Sequence, residues 1–264
     1  MNYLHSANPT GDFKLGATSQ PWLVGDGAFE TIKSEYGVLF FLDRHLSRLV
    51  KATKELLFEK LDEEALRADV EVLRERTSGI ERGRFRITVF SNGEYLLTHE
   101  AAALRLTPQK LLISPNVRFS RSVLAGTKSM SYGEASAGIR LAAKSGCDDL
   151  IYLNERGEVV ETGMANLLLE MKGSFLTPSL DSGCLPGIVR GVFLDWFKEV
   201  KEEVVTVEHL KNATGLYVLS SLREMDLVTE VHGISTTAQK YQITAIAEKL
   251  RTDYLINSRS IPNS

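Results

Sequence analysis

Residues 150–177, LIYLNERGEVVETGMANLLLEMKGSFLT, contain short apolar runs that alternate with turn residues. The turns fall at Asn154-Glu155-Arg156-Gly157 and Lys172-Gly173, since Asn and Gly tolerate tight backbone conformations. The runs predict successive strands at Leu150–Leu153, Val159–Thr162, Asn166–Met171 and Phe175–Thr177. A helical pattern precedes them, from Tyr132 to Ser145, and ends at Gly146. Strands and helices mixed without regular alternation favour an α+β fold over a doubly wound parallel sheet.

The chain before this stretch predicts strand, helix, helix and strand. A hairpin is indicated by apolar runs at Phe29–Ile32 and Val38–Leu42, which flank the polar Ser34-Glu35-Tyr36-Gly37. Asp43 is placed as the N-cap of the first helix, because its carboxylate can accept unpaired N–H groups of the first turn. The later elements are a helix at Asp62–Arg76, a half-buried strand at Phe85–Val89, and the turn Ser91-Asn92-Gly93 into Tyr95-Leu96-Leu97.

Two prolines lie in the segment that connects the two halves of the chain. Pro108 and Pro115 flank the apolar Leu111-Leu112-Ile113, which predicts an edge strand leading to a connection, because proline cannot donate a ladder hydrogen bond. We therefore expect two domains, an N-terminal α+β domain over residues 1–120 and a C-terminal domain over residues 121–264.

Composition excludes several classes of protein. The 264 residues carry 31 Lys and Arg against 34 Asp and Glu, a formal charge of -3, so no basic surplus is available for nucleic acid or an anionic membrane. Cys147 and Cys184 are too few for a disulfide framework and lack the paired spacing of a zinc site. The opening Met1–Ser6 has no basic or apolar signal region, and no apolar run reaches the roughly 18 residues of a membrane span. We expect a cytoplasmic protein with no nucleic-acid or membrane partner.

Several common chemical motifs are missing from the sequence. Gly25-Asp26-Gly27 lacks the third glycine of a dinucleotide turn, and there is no Walker loop or nucleophile elbow. The histidines show no ligand spacing, so no metal site is predicted. We place on the surface or on helix faces His45, His99, His209 and His232.

Short segments in one order along the chain carry a family resemblance. They are 25–32 (GDGAFETI), 45–49 (HLSRL), 128–132 (KSMSY), 160–166 (VETGMAN), 185–190 (LPGIVR) and 219–222 (LSSL). Together they resemble the fold-type IV pyridoxal-phosphate enzymes, which include branched-chain and D-amino-acid aminotransferases and aminodeoxychorismate lyase. The resemblance implies a two-domain α+β fold with a small N-terminal α/β sandwich and a larger C-terminal pseudo-barrel domain. It also implies the cofactor pyridoxal 5'-phosphate, a small-molecule amine substrate and a homodimer.

The resemblance assigns the reactive part of the cofactor to two residues. Lys128 matches the lysine that forms a Schiff base with the cofactor aldehyde and later moves the substrate proton. Taken alone, a lysine after Gly126-Thr127 is typical of a solvated surface cation. Glu161 matches the carboxylate that stabilises the protonated ring nitrogen, and its segment ends at Asn166, a further cofactor-binding position. Tyr132 lies near the position that bonds the ring oxygen.

The cofactor phosphate needs backbone N–H groups and a cation. The helix that starts after Pro186-Gly187 offers such N–H donors, and Gly187 lets the backbone come close. Val189 stands where family members usually carry Thr, so a hydroxyl contact is lost. Arg48 resembles the arginine that reaches the phosphate from the N-terminal domain with a charge-assisted fork. The positions assigned to the phosphate and its surroundings are Arg48, Gly187, Ile188, Val189, Ser220 and Ser221.

The segment Ser220-Ser221-Leu222 favours a lyase, because the aminotransferases usually carry Glu-Ile after the small residues there. Thr31 matches a hydroxyl position of the lyases and joins Lys128 and Glu161 as the predicted catalytic residues. The leading hypothesis is a 4-amino-4-deoxychorismate lyase that forms 4-aminobenzoate and pyruvate. The alternatives are a branched-chain or D-amino-acid aminotransferase and, from another class, a non-catalytic pyridoxal-phosphate-binding protein. The arginines that could bind the substrate carboxylate are Arg82, Arg84, Arg86 and Arg223.

Overall fold

The structure is a computed structural model that describes residues 3–7, 20–103 and 107–260. The expectation about a signal region at residues 1–6 therefore falls partly outside the described residues. The chain separates into two compact units. The first contains residues 3–7, 20–103 and 127–132, and the second contains residues 107–126 and 133–260. The division after residue 120 stays a prediction. Among the described helices, none has the length and apolar character required to span a membrane.

The elements of both units are numbered in chain order. The helices are α1 (Gln20–Val24), α2 (Leu42–Glu55), α3 (Glu63–Arg76), α4 (Gly133–Lys144), α5 (Ile188–Trp196), α6 (Val207–Asn212) and α7 (Ala245–Arg259). The strands of the first unit are β1 (Tyr3–His5), β2 (Gly27–Glu35), β3 (Val38–Leu39), β4 (Arg82–Phe90) and β5 (Tyr95–Ala101). The strands of the second unit are β6 (Gln109–Val117), β7 (Asp149–Leu153), β8 (Val159–Thr162), β9 (Asn166–Met171), β10 (Ser174–Pro178), β11 (Val200–Glu203), β12 (Gly215–Ser220), β13 (Glu224–His232) and β14 (Gln239–Lys240).

The first unit is an antiparallel sheet in the order β1-β5-β4-β2-β3, covered by α2 and α3. The predicted hairpin is confirmed, because β2 and β3 join through Tyr36 and Gly37, which both have positive φ. A two-residue turn in which both residues have positive φ matches the twist of the two paired strands. The sheet and the helices share one apolar core, which includes Ile32, Leu46, Leu49, Leu66, Val70, Leu73, Phe85, Ile87, Val89 and Leu97.

The starts of the two long helices differ in how they are capped. The second predicted helix, Asp62–Arg76, is present, and Asp62 is its N-cap, whose side chain accepts the Ala65 N–H at 3.0 Å. The N-cap of α2 is Phe41, with φ 57°, so the prediction of Asp43 at that position was wrong. Asp43 instead lies in the first turn of α2, where a negative charge still favours the helix dipole, and pairs with Arg67 at 2.7 Å.

The second unit is built on a mixed sheet in the order β11-β10-β9-β12-β13-β6-β7-β8, with β14 added beside β13. Its strands are antiparallel except for the parallel pairs β10–β11, β13–β6 and β6–β7. The helix α4 follows the pattern predicted for Tyr132–Ser145 within one residue at each end. This mixture of parallel and antiparallel strands confirms the α+β prediction.

The strand β6 lies inside its sheet, so its prediction as an edge strand was wrong. It pairs in parallel with β13 on one side and with β7 on the other. The register with β7 shifts between Ile113 and Val117, and Pro115 lies in this irregular part. A bulge tolerates proline because the missing N–H falls where the ladder is already interrupted.

His99 lies in the core of the first unit, not on its surface as predicted. It is 1% exposed on β5. Its Nε2 lies 2.7 Å from the Ser34 hydroxyl and its Nδ1 lies 2.6 Å from the Thr77 hydroxyl. Two hydroxyl partners explain the burial of this ring, because they satisfy both nitrogens. Burial lowers the pKa of His99 from its ordinary value.

Candidate active site

Main-chain hydrogen bonds hold Lys128 beside β2. The Phe29 N–H donates to the Lys128 carbonyl oxygen at 2.9 Å, and the Met130 N–H donates to the Gly27 carbonyl oxygen at 2.7 Å. Gly27 admits this close approach, because an added Cβ would lie 2.5 Å from Met130 Sδ and 2.7 Å from the Val89 carbonyl oxygen. The backbone of Lys128 is therefore fixed against the first sheet.

The Lys128 amine lies beside the Phe29 ring. Nζ is 4.5 Å from the ring centroid, and the Arg86 guanidinium carbon is 3.8 Å from the same centroid. Thr31 is two residues along β2 and directly opposite Arg86 on β4, so it shares the sheet face of Phe29. The Tyr132 ring packs edge-on against Phe29 with 5.6 Å between centroids. We call Phe29, Thr31, Arg86, Lys128 and Tyr132 the Lys128 cluster.

The arginines considered for the substrate carboxylate have different surroundings. Arg82 and Arg84 form ion pairs with glutamates at 3.5 Å and 2.6 Å. Arg223 donates to the side-chain oxygen of a fully buried glutamine in the second unit. Arg86 belongs to the Lys128 cluster, and burial lowers the pKa of its guanidinium from the ordinary value.

The other face of β2 carries a buried charged group. The Glu30 carboxylate is 1% exposed and accepts from Arg48 Nε at 2.8 Å and from Arg48 Nη2 at 2.6 Å. His45 Nδ1 lies 2.6 Å from the same carboxylate. We call Glu30, His45 and Arg48 the Glu30 cluster. The bidentate contact fixes the plane of the Arg48 guanidinium, the group predicted to reach the phosphate.

His45 lies on a helix, α2, as one of the two predicted places allows, but it is on the buried face of that helix and is 1% exposed, so a surface position is ruled out. Burial alone would raise the pKa of Glu30, but the charges of Arg48 and His45 lower it to about 2. Burial lowers the pKa of His45, although Glu30 acts in the opposite direction. Because the Glu30 carboxylate is ionised and can only accept, the His45 Nδ1–H donates to it. The missed signal was an acidic residue in an apolar strand, which requires a buried partner.

Glu161 is on β8 in the second unit, where several donors hold its carboxylate. Arg118 Nη1 lies 3.1 Å from Oε1. The Asn166 side-chain amide and the Leu185 N–H both donate to Oε2 at 3.1 Å. We call Arg118, Glu161, Asn166 and Leu185 the Glu161 cluster. Glu161 and Asn166, both predicted from the sequence as site residues, lie side by side, whereas no sequence motif marks Arg118.

Asn166 also connects the Glu161 cluster to the start of α5. Its amide donates a second hydrogen bond to the Leu185 carbonyl oxygen at 2.9 Å. Gly187, the N-cap of α5, packs so closely against Asn166 that an added Cβ would lie 1.8 Å from Oδ1. The glycine is therefore required for this packing, a role beyond the backbone approach that the sequence predicts.

The predicted phosphate-binding helix begins as expected. Ile188 and Val189 occupy the first turn of α5, where a helix leaves N–H groups without intrahelical acceptors. Such a terminus favours an anionic ligand. Arg190 does not supply the cation, because its buried guanidinium pairs with Glu202 at 2.6 Å.

Ser220 and Ser221 lie at the junction of β12 and β13. Ser220 ends β12 and is paired with Glu224, the first residue of β13. Glu224 has φ 60°, in the left-handed region, so the chain turns sharply after Ser221. The serine hydroxyls and N–H groups at this turn are suited to an anionic ligand.

The donor set of each unit fits pyridoxal 5'-phosphate. The first unit carries an amine at Lys128, which can combine with an aldehyde, and an arginine at Arg48, whose fork suits phosphate. The second unit carries the Glu161 carboxylate, which suits a protonated ring nitrogen, and the N-terminus of α5, which suits phosphate. These are the chemical groups that the cofactor requires.

Several known proteins are similar to this chain. Residues 27–231 match the family model described as amino-transferase class IV. A Methanocaldococcus jannaschii protein, provisionally assigned as a branched-chain-amino-acid aminotransferase, is 26% identical over 92% of this chain and 91% of its own. Aminodeoxychorismate lyase of Bacillus subtilis is 25% identical over 90% of this chain and 89% of its own.

One solved structure of another protein has the same fold as this chain. CpuTA1, a fold IV-transaminase from Curtobacterium pusillum, superposes with a TM-score of 0.83, covers 99% of both chains and is 24% identical. This likeness confirms the predicted fold-type IV architecture.

Proposed function

Because the chain belongs to the class IV aminotransferases, a family of pyridoxal-phosphate-dependent enzymes, we propose that it is a 4-amino-4-deoxychorismate lyase. The family membership confirms the predicted enzyme class and cofactor. The observation that carries the proposal is the Lys128 cluster. In this cluster Thr31 shares a sheet face with Phe29, and the Lys128 amine lies beside the Phe29 ring. The pattern Ser220-Ser221-Leu222 and the 25% identical lyase of Bacillus subtilis support it.

The proposed roles follow from the chemistry of each cluster. Lys128 binds the cofactor covalently and moves the substrate proton, while Thr31 holds the departing oxygen of the substrate by a hydrogen bond. Glu161 faces the ring nitrogen, with Asn166 beside it and Tyr132 near the ring oxygen. The proposed phosphate ligands are Arg48, Ser220, Ser221 and the backbone at Gly187, Ile188 and Val189.

The reaction balances without an oxidant or a second substrate. Bound pyridoxal phosphate supplies an aldehyde that joins the substrate amine and a ring that accepts an electron pair. The Lys128 amine removes the proton from the carbon that bears the amino group. The electron pair of that C–H bond completes the aromatic ring as the neighbouring C–O bond breaks. The enolpyruvyl group leaves with the C–O electron pair and takes up a proton, so the products are 4-aminobenzoate and pyruvate.

The test is product formation by the cofactor-loaded enzyme with 4-amino-4-deoxychorismate and no keto acid. We expect pyruvate and 4-aminobenzoate in equal amounts. Thr31→Val, which removes the hydroxyl but keeps the shape, should slow the release roughly a hundredfold, whereas Thr31→Ser should retain most of it. Absence of pyruvate at saturating cofactor would reject the lyase, and an unchanged rate in Thr31→Val would reject the role of Thr31.

An aminotransferase is the second candidate, favoured by the assignment of the 26% identical Methanocaldococcus jannaschii relative. Such an enzyme would transfer the donor's amino group to the cofactor before any acceptor is added. Single L- and D-amino acids should then convert the visible cofactor band to that of the pyridoxamine form. A band unchanged by every amino acid would rule out this alternative.

The assembly and the location are further parts of the proposal. By family resemblance we propose a homodimer, which sedimentation equilibrium can test against the 29.3 kDa mass of one chain. The cytoplasmic location stays a prediction from composition, and cell fractionation tests it.

A further inference from the structure

Arg118 is a charged residue of the second unit that no sequence motif marks. It directly follows β6, and its Nη1 lies 3.1 Å from Glu161 Oε1, with 19% and 14% of the two side chains exposed. Its guanidinium carbon lies 3.9 Å from the centroid of the Tyr152 ring, which is fully buried on β7. Glu134 of α4 is a second acidic neighbour, at 3.8 Å from Nε. Contacts with three elements therefore hold the guanidinium in one place.

The partners of Glu161 differ in kind. Oε2 accepts from two neutral groups, the Asn166 amide and the Leu185 N–H, whereas Oε1 faces the cation of Arg118. Removing a mostly buried carboxylate from water is costly unless a charge partner is present. The neutral donors orient the carboxylate, and the positive charge of Arg118 adds to the stabilisation of its ionised form.

We propose that Arg118 is a positioning residue that keeps the Glu161 carboxylate ionised and in one orientation for a cofactor ring nitrogen. This inference rests on the proposed role of Glu161. Tyr152 adds to the effect, because stacking on its ring restrains the guanidinium plane and stabilises the cation. Glu134 is more exposed and more distant, so it is not the main partner.

The direction of the effect follows from Coulomb's law. The charge of Arg118 acts most strongly on the nearest group, the Glu161 carboxylate. Loss of that charge makes the carboxylate a stronger base, so a proton shared with a ring nitrogen shifts toward Glu161. The contact then changes from a charge-assisted to a neutral hydrogen bond, which is weaker by about half.

The test compares two ligands, pyridoxal phosphate and 1-deaza-pyridoxal phosphate, whose ring nitrogen is replaced by carbon. Both keep the aldehyde and the phosphate, so the ratio of their Kd values isolates the ring nitrogen. We expect the wild type to prefer the natural cofactor by roughly tenfold or more, the range of a charge-assisted hydrogen bond. Arg118→Met should lose most of this preference, and Arg118→Lys should keep a larger part of it.

Two controls accompany these variants. Glu161→Gln removes the carboxylate itself and should lose the preference as fully as Arg118→Met. Arg156→Met removes an arginine–glutamate pair of the same unit, at 2.7 Å, that lies outside the Glu161 cluster, and it should keep the wild-type preference. An unchanged Kd for the deaza ligand in Arg118→Met shows that this variant is folded.

Each outcome separates the two proposals. If Arg118→Met weakens both ligands equally, Arg118 has only a structural role and the inference is wrong. If Arg118→Met keeps the wild-type preference while Glu161→Gln loses it, the inference is also wrong but the role of Glu161 stands. If the wild type binds both ligands equally, the proposed role of Glu161 fails.

Discussion

Glu30→Gln is the substitution that most clearly tests the Glu30 cluster. Glu30 is fully buried, and its carboxylate binds both Arg48, at 2.6 Å and 2.8 Å, and His45, at 2.6 Å. Glutamine has nearly the same shape but no charge. The substitution therefore leaves the mostly buried Arg48 cation without its counter-charge. It also places the glutamine NH2 group, a donor, against the donor groups of Arg48 and His45.

The magnitude follows from the pKa of Glu30. The charges of Arg48 and His45 hold this pKa at about 2, below the ordinary 4.5, even though burial acts in the opposite direction. At about 1.4 kcal/mol for each pKa unit, the lowering corresponds to about 3 kcal/mol of folding stability. Removing one partner of a buried ion pair typically costs roughly 3–5 kcal/mol, which agrees. Because the folded-state pKa is the lower one, this contribution is complete above pH 4.5 and is lost as the pH falls toward 2.

The assay is urea unfolding of the wild type and Glu30→Gln at neutral pH and at several values below pH 4.5. The variant should be less stable by about 3 kcal/mol at neutral pH, and the difference should shrink in acid. Glu100→Gln is the matched control, because Glu100 pairs with Arg84 in the same sheet but is 55% exposed. It should cost less than about 1 kcal/mol. A Glu30→Gln protein as stable as the wild type, or a difference independent of pH, would refute the reasoning.

Other predictions concern the covalent site and the packing at α5. Lys128→Ala should lose the visible band of the bound cofactor, and borohydride should no longer fix the cofactor to the protein; fixation in that variant would contradict the assignment. Gly187→Ala should destabilise the protein by about 1–3 kcal/mol in thermal unfolding, because its Cβ would lie 1.8 Å from Asn166 Oδ1. Gly133→Ala is the control, since no atom lies within 4 Å of its Cβ at the start of α4, and it should be neutral or slightly stabilising.

Local patterns predicted the elements that depend on local chemistry. The hairpin at Tyr36-Gly37 and the helix α3 rest on residues within a few positions of each other. The position of β6 could not be predicted in the same way, because its neighbours in the sheet come from distant parts of the chain. Prolines at an edge and prolines at a bulge look alike in sequence.

In the candidate site too, local patterns predict some residues but not the distant residues that contact them. Motif resemblance predicts roles for Lys128 and Glu161, but charged partners in the candidate site are separated along the chain. Arg118 is 43 residues from Glu161, and His45 is 15 residues from Glu30. Local periodicity does not indicate which distant residues pair. A buried histidine can also have the same sequence context as an exposed histidine on a helix. What the sequence does indicate is the free-energy cost of burying a charge. A carboxylate in an apolar strand requires a partner, although the sequence does not say which residue it is.

We propose an enzyme that eliminates pyruvate and does not transfer an amino group. The most direct test mixes the loaded enzyme with one equivalent of 4-amino-4-deoxychorismate, without a keto acid, and follows the products and the visible cofactor band in the same sample. The proposed lyase should release one pyruvate for each 4-aminobenzoate, and the band should return to its starting intensity. Accumulation of the pyridoxamine form, with no pyruvate released, would contradict it.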